Sequence, residues 1–136
     1  MNVIIKIQKE FQSKVRQWVI NCFGEKIADD TIERNHRFLE ESLELVQSTG
    51  CSREDAHALV DYVFDRPVGE VYQEIGGVMV TLSALCSANK QPLFVNAMIE
   101  LNMINQPEII ERIRIKQSKK PMASPLPIDI TANGCN

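Results

Sequence analysis

Apolar residues in this chain recur at the three- and four-residue steps of a helix almost throughout, and strand-like alternation is scarce. Phe11, Val15, Trp18, Val19 and Cys22 make the first such stripe, which ends at Gly24, a residue suited to a helix C-cap. A second stripe, Phe38, Leu39, Leu43 and Val46, predicts a helix that begins near Asp29-Asp30-Thr31, where side chains can cap it, and stops at Gly50. Ser52 opens a third helix with Ala56, Leu59, Val60 and Val63 on its apolar face, interrupted at Arg66-Pro67. From about Gly69 to Ser87 runs the least polar helix. No charge falls between Glu74 and Lys90, so burial on nearly every side is expected. Pro92 opens a further helix through Asn96, Met98, Ile99 and Met103. Asn105-Gln106-Pro107-Glu108 reads as a break and restart, and a basic helix follows to about Gln117. Pro121, Pro125, Pro127 and Gly134 cannot continue a helix. The pattern therefore predicts one all-α domain over residues 1–120 and a proline-containing tail over 121–136.

The polar positions carry the candidate chemistry. Opposite its apolar stripe the second helix bears Glu33, Arg37, Glu40, Glu41 and Glu44, and taken alone these fit the solvated face of any amphipathic helix. Arg37, one turn before Glu40 and Glu41, suits an ordinary intrahelical ion pair. Glu70 and Glu74 are a turn apart on the most apolar helix. Glu70 fits an exposed first turn favoured by the helix dipole. Glu74 stands further inside, where an unpartnered carboxylate is costly, so a basic side chain or a metal is expected beside it. Two facing acidic helices can hold a divalent ion with a triphosphate, because carboxylates spaced three or four residues apart share a face and Mg²⁺ favours carboxylate and phosphate oxygens. Gly76 and Gly77 each destabilise a helix by roughly 0.5–1 kcal/mol relative to alanine. Two in succession imply a close approach, more often by another helix than by a ligand or a metal-held water.

Composition narrows the options. With 136 residues and a net charge of −3, the chain suits one ordinary globular domain with enough length for a core, and it has no global positive field to attract a nucleic-acid polymer. The late basic group Arg112, Arg114, Lys116, Lys119 and Lys120 suits either bound phosphates or a solvated helix end. Cys22, Cys51, Cys86 and Cys135 are scattered, with no CxxC pair or nearby histidine at ligand spacing. That argues against zinc or a disulfide framework and for reduced thiols in a cytoplasmic compartment. Val3-Ile4-Ile5 is broken at once by Lys6, so neither a signal peptide nor a membrane span is expected. His36 and His57 lack a recognisable nucleophile and orienting acid, and no GxxxxGK[ST] loop is present.

Arg37-Phe-Leu-Glu-Glu-Ser-Leu-Glu-Leu45 resembles the EExxE helix of the MazG-like, all-α nucleoside triphosphate pyrophosphohydrolases. Glu74-Ile-Gly-Gly-Val78 is similar to their later ExxD helix, usually E-[LIV]-G-D-[VL], and Ile115-Lys-Gln-Ser-Lys-Lys-Pro121 followed by Ser124-Pro-Leu-Pro127 is similar to their basic, proline-terminated end. The likeness covers roughly residues 10–127, and the conjunction of motifs is more specific than any one of them. It implies a helical bundle of the MazG-like type, its core completed by oligomerisation as a homodimer or homotetramer whose neighbouring subunits complete the site. It also implies Mg²⁺-dependent hydrolysis of an NTP or dNTP between the α- and β-phosphates to the monophosphate and pyrophosphate, with Mn²⁺ as the alternative ion. Glu41 and Glu44 match the ExxE metal ligands, Glu40 the acid before them, and Glu74 the first ExxD ligand, which makes Glu41, Glu44 and Glu74 the catalytic set. Gly77 stands where the family has aspartate; Glu70, one turn earlier on the same face, offers a replacement carboxylate. Lys116, Lys119 and Lys120 are then candidates to neutralise phosphate charge, with Arg34 or Arg37 at the rim. Trp18 is a candidate base-stacking residue, although a lone tryptophan in an apolar stripe is more often core. Two other readings stand beside the enzyme. One is a catalytically weakened nucleotide-binding or protein-interaction module on the same scaffold, for which Gly77 is the best argument; the other is a plain helical oligomer with acidic stripes.

Overall fold

A computed structural model describes residues 2–126, and every regular element among them is a helix: α1 (Val3–Phe23), α2 (Glu25–Ala28), α3 (Thr31–Ser48), α4 (Arg53–Phe64), α5 (Val71–Ala88), α6 (Leu93–Ile104) and α7 (Pro107–Ser118). Pro127, Gly134 and Cys135 lie outside the described residues. No helix among those described is long and apolar enough to cross a membrane.

Local chemistry accounts for the boundaries. The Asn2 side chain accepts the Ile4 N–H at 3.3 Å, so α1 starts at Val3, two turns ahead of the first apolar stripe. It ends at Gly24, whose φ of 82° is a left-handed value that glycine reaches without a Cβ clash. Asp30 begins α3, its Oδ1 accepting the N–H groups of Ile32 and Glu33 at 3.0 and 3.2 Å. Asp29 is used otherwise. It accepts from the Arg16 guanidinium at 2.7 Å, and that hydrogen bond holds its carboxyl below the usual range. Ser52 caps α4 through the Asp55 N–H at 3.1 Å, and Pro107 occupies the first turn of α7, where no N–H partner is needed. The single turn α2 was not predicted, because four residues carry no readable period.

The helices form two compact units. Unit one comprises α1, α2, α3 through Phe38, α6 from Ile99, and α7. Within it α1 packs against α2 and α7, and Val19, Cys22 and Leu101 are the buried apolar residues. Burial pushes the Cys22 thiol up from its ordinary pKa, against the opposing charge of Arg114. Arg114 also donates to the Asn21 carbonyl from two nitrogens, at 3.2 and 2.5 Å, which ties α7 to α1.

Unit two is Leu39–Met98, and none of its residues is buried. This corrects the expectation for α5: Val71 is 74% exposed and Ile75 61% exposed, with Tyr72 and Val80 equally bare. Periodicity records that an apolar helix needs cover; in the single chain nothing in unit two supplies it. The exposed apolar positions of α4, Leu59, Val60 and Val63, repeat the pattern.

Candidate functional site

The acidic candidates lie on α3 and at the start of α5. Glu41 and Glu44 are exposed and Glu40 is half-buried; three-residue spacing puts Glu41 and Glu44 on neighbouring positions of one face. Glu70 is the residue before α5, extended at φ −87° and ψ 130°, with its backbone carbonyl accepting the N–H groups of Gln73 and Glu74 at 2.9 and 3.0 Å. Its side chain makes no capping hydrogen bond. Glu74 lies in the first turn and is exposed, which corrects the expectation of a carboxylate inside the helix. Side chains on a helix lean toward its N-terminus, and Glu74 does so far enough that its carboxylate fills the place a Cβ on Gly69 would take.

Gly69 therefore makes room for Glu74. Gly69→Ala is expected to push the carboxylate aside yet to cost less than about 1 kcal/mol, because the obstruction is the end of a flexible side chain. A thermal melt close to wild type is the expected result.

Gly76 and Gly77 differ from Gly69. Among the described residues no atom lies within 4 Å of a Cβ built on either, so none of them supplies the close neighbour that two consecutive glycines imply. The Thr81 hydroxyl donates to the Gly77 carbonyl at 2.9 Å. Among the described residues, no three or more of the Asp, Glu, His and Cys side chains are gathered in a position to hold a metal. The acids named from the sequence thus lie on α3 and at the start of α5, all within unit two, and among the described residues they are not closed into a cage.

The basic candidates belong to unit one, and the residue that organises them was not singled out from the sequence. Glu33 on α3 is only 7% exposed and accepts a hydrogen bond from the Lys120 ammonium, whose side chain is 3% exposed. Arg34 Nη2 and Arg37 Nε stand 3.7 and 3.8 Å from its Oε1. Arg37 also donates to the Pro125 carbonyl at 3.4 Å, so the segment after α7 is fastened to α3 at two points. Lys120 and Arg37 are brought together on Glu33. Lys116, in the last turn of α7, and Lys119, its C-cap, stay exposed. Trp18 has a structural contact: its indole N–H donates to the Ile104 carbonyl at 3.0 Å and its ring meets Phe23 edge-on, centroids 6.3 Å apart. The one sequence signal for Glu33 was Arg37 four residues later.

No family model, curated protein or solved structure matches this chain.

Proposed function

We propose that the chain is a Mg²⁺-dependent nucleoside triphosphate pyrophosphohydrolase of MazG-like type, with the bundle and the site completed by a second or further copies. The observation that carries this reading is the presence of Glu41-x-x-Glu44 on one helix and Glu74 on another, in a chain whose described residues form helices only and whose second acidic helix is also its most apolar and is left uncovered. The donor set suits the ion: carboxylates alone favour Mg²⁺ or Mn²⁺ over the softer metals. Glu40, Glu41, Glu44, Glu70 and Glu74 are the residues that would hold it.

When bound, Mg²⁺ would neutralise the phosphates and lower the cost of generating a nucleophilic water. The chain's own part is to aim and polarise. Glu41 and Glu44, in the second half of α3, and Glu74, in the first turn of α5, would supply the charge, and one of them would orient the attacking water and accept its proton. Lys116 and Lys119, both exposed, are candidates to meet phosphate charge. Trp18 and Lys120 have a lesser share, since each is already engaged within unit one.

The uncovered apolar surface of unit two supports the same reading. Unit two alone leaves Tyr72, Ile75 and Val80 in water, and roughly 25 cal/mol is gained for each Å² of such surface covered. Light scattering coupled to size exclusion is expected to give a dimer or tetramer, and Ile75→Asp to shift it toward smaller species; a monodisperse monomer contradicts assembly.

The function is tested by incubating wild-type protein with a panel of ribo- and deoxyribonucleoside triphosphates, with Mg²⁺ or with chelator, and following the products by phosphorus NMR. Monophosphate with pyrophosphate, in the Mg²⁺ samples only, is expected. A second reading, the weakened binding module, is favoured by Gly77 and by the open space beside it; its signature is nucleotide binding with no product.

A further inference from the structure

Helix α1 runs past the body it packs on. Residues 2–7, 9 and 10 are exposed, Phe11 and Val15 are half-buried, and only further on are Val19 and Cys22 buried. The side-chain hydrogen bonds that tie α1 to later elements begin at Arg16: Arg16 donates to Asp29, Trp18 to the Ile104 carbonyl, and the Asn21 carbonyl accepts from Arg114. At about 100° per residue, Val3, Ile4 and Ile7 continue the apolar stripe of Phe11, Val15 and Trp18. They are 68%, 61% and 58% exposed. The face that α1 buries in unit one thus extends two turns further with no cover among the described residues. Valine and isoleucine are modest helix formers, so a helix over these positions is held by packing more than by propensity.

The charges around that face are one-sided. Among residues 3–16 the only acid is Glu10, against Lys6, Lys9, Lys14 and Arg16, and Arg16 is taken by Asp29. Unit two has the opposite balance, with nine carboxylates against the three cations Arg53, Arg66 and Lys90. It also bares apolar side chains such as Tyr72, Ile75 and Val80. A basic amphipathic helix is complementary in both respects to an acidic surface with apolar side chains on it. Two copies of the chain can meet both needs at once, because a two-fold axis repeats any contact reciprocally. Laying the two α1 starts on each other would instead bring lysines toward lysines.

We propose that the first two turns of α1 dock on unit two of a second copy, with Val3, Ile4 and Ile7 against its exposed apolar side chains and Lys6, Lys9 and Lys14 answered by its carboxylates. This rests on the assembly inferred above and goes beyond it by naming the two surfaces that meet. The apolar part of the contact supplies affinity, and the lysines select the acidic unit over other apolar surfaces.

The test uses the full chain, mixed from natural-abundance and ¹⁵N-labelled protein and treated with a carbodiimide, which joins a lysine amine directly to a carboxylate it touches. Peptides of mixed label that link Lys6, Lys9 or Lys14 to a carboxylate of residues 39–98 are expected. Links from these lysines found only within one copy, or none to unit two, overturn the proposal. Light scattering coupled to size exclusion then follows two double variants, Ile4→Ser with Ile7→Ser and Lys6→Glu with Lys9→Glu. All four residues are exposed, so circular dichroism and the fluorescence of Trp18, the sole tryptophan, should stay near wild type. Each double variant should raise the dissociation constant of assembly at least tenfold, and added salt should weaken wild-type assembly more than that of the lysine variant. Assembly undiminished in both variants overturns the contact. So does binding of wild type to phosphatidylserine vesicles that the isoleucine variant loses while its assembly is kept, which assigns the α1 face to lipid. In either case the assembly that depends on Ile75, and the hydrolase reading, still stand. A monomeric wild type removes the assembly and this contact together, whereas absence of turnover in an assembled protein touches the hydrolase reading alone.

Discussion

Glu41→Gln and Glu74→Gln are each expected to reduce pyrophosphate release by about a hundredfold or more while leaving the helical circular dichroism and the melt near wild type. Glutamine keeps the size and polarity of glutamate and removes the charge, and both residues are exposed, so no buried packing is lost. A carboxylate that steadies a metal and its phosphates is worth several kcal/mol in the transition state, and each 1.36 kcal/mol is a factor of about ten in rate. Loss of rate with little change in KM distinguishes this role from simple attraction of substrate. The complementary change is Gly77→Asp. A Cβ there meets nothing within 4 Å, so the aspartate enters without a clash. Tighter Mn²⁺ binding, read by calorimetry, is the expected result; unchanged binding would count against a metal site beside Gly77.

Glu33→Ala is expected to be the most destabilising substitution in unit one, at about 3–5 kcal/mol in urea unfolding, the usual cost of stranding a buried charge. Lys120 would be left almost wholly buried without its partner, beside Arg34 and Arg37. Lys120→Met should destabilise by less, because the two arginines still face Glu33. The double variant Glu33→Leu with Lys120→Met should recover much of the loss, since a buried pair exchanged for apolar groups of similar volume is often neutral. Additive losses in the double variant would show that the pair is not coupled.

The elements most legible in the sequence are those set by neighbours in the chain. Gly24 and Gly50 stop helices with φ of 82° and 98°, Ser52 caps α4, and Pro107 opens α7, each through contacts within a few residues. The early start of α1 was hidden because Lys6 and Lys9 interrupt its apolar run, and only the Asn2 cap fixes it. The surroundings of α5 could not be read at all. A stripe tells that a face needs cover and is silent on which chain provides it.

The candidate site divides along the same line. The positions of Glu41, Glu44 and Glu74 follow from helical spacing, but the direction taken by the Glu74 side chain depends on the room left by Gly69. Glu33 reads in the sequence as one more acid of a solvated helix face, because nothing in its neighbours along the chain sets it apart. Its principal partner, Lys120, is 87 residues away in the chain, and only folding brings the two together.

The central claim is hydrolysis between the α- and β-phosphates. Its most direct test is turnover of an accepted triphosphate in ¹⁸O-water with Mg²⁺, followed by mass analysis of every phosphate product. One solvent oxygen per turnover, found in the monophosphate or the pyrophosphate and with no orthophosphate formed, is the expected result. Label in released orthophosphate, or no turnover of any triphosphate by an assembled, folded protein, would contradict it.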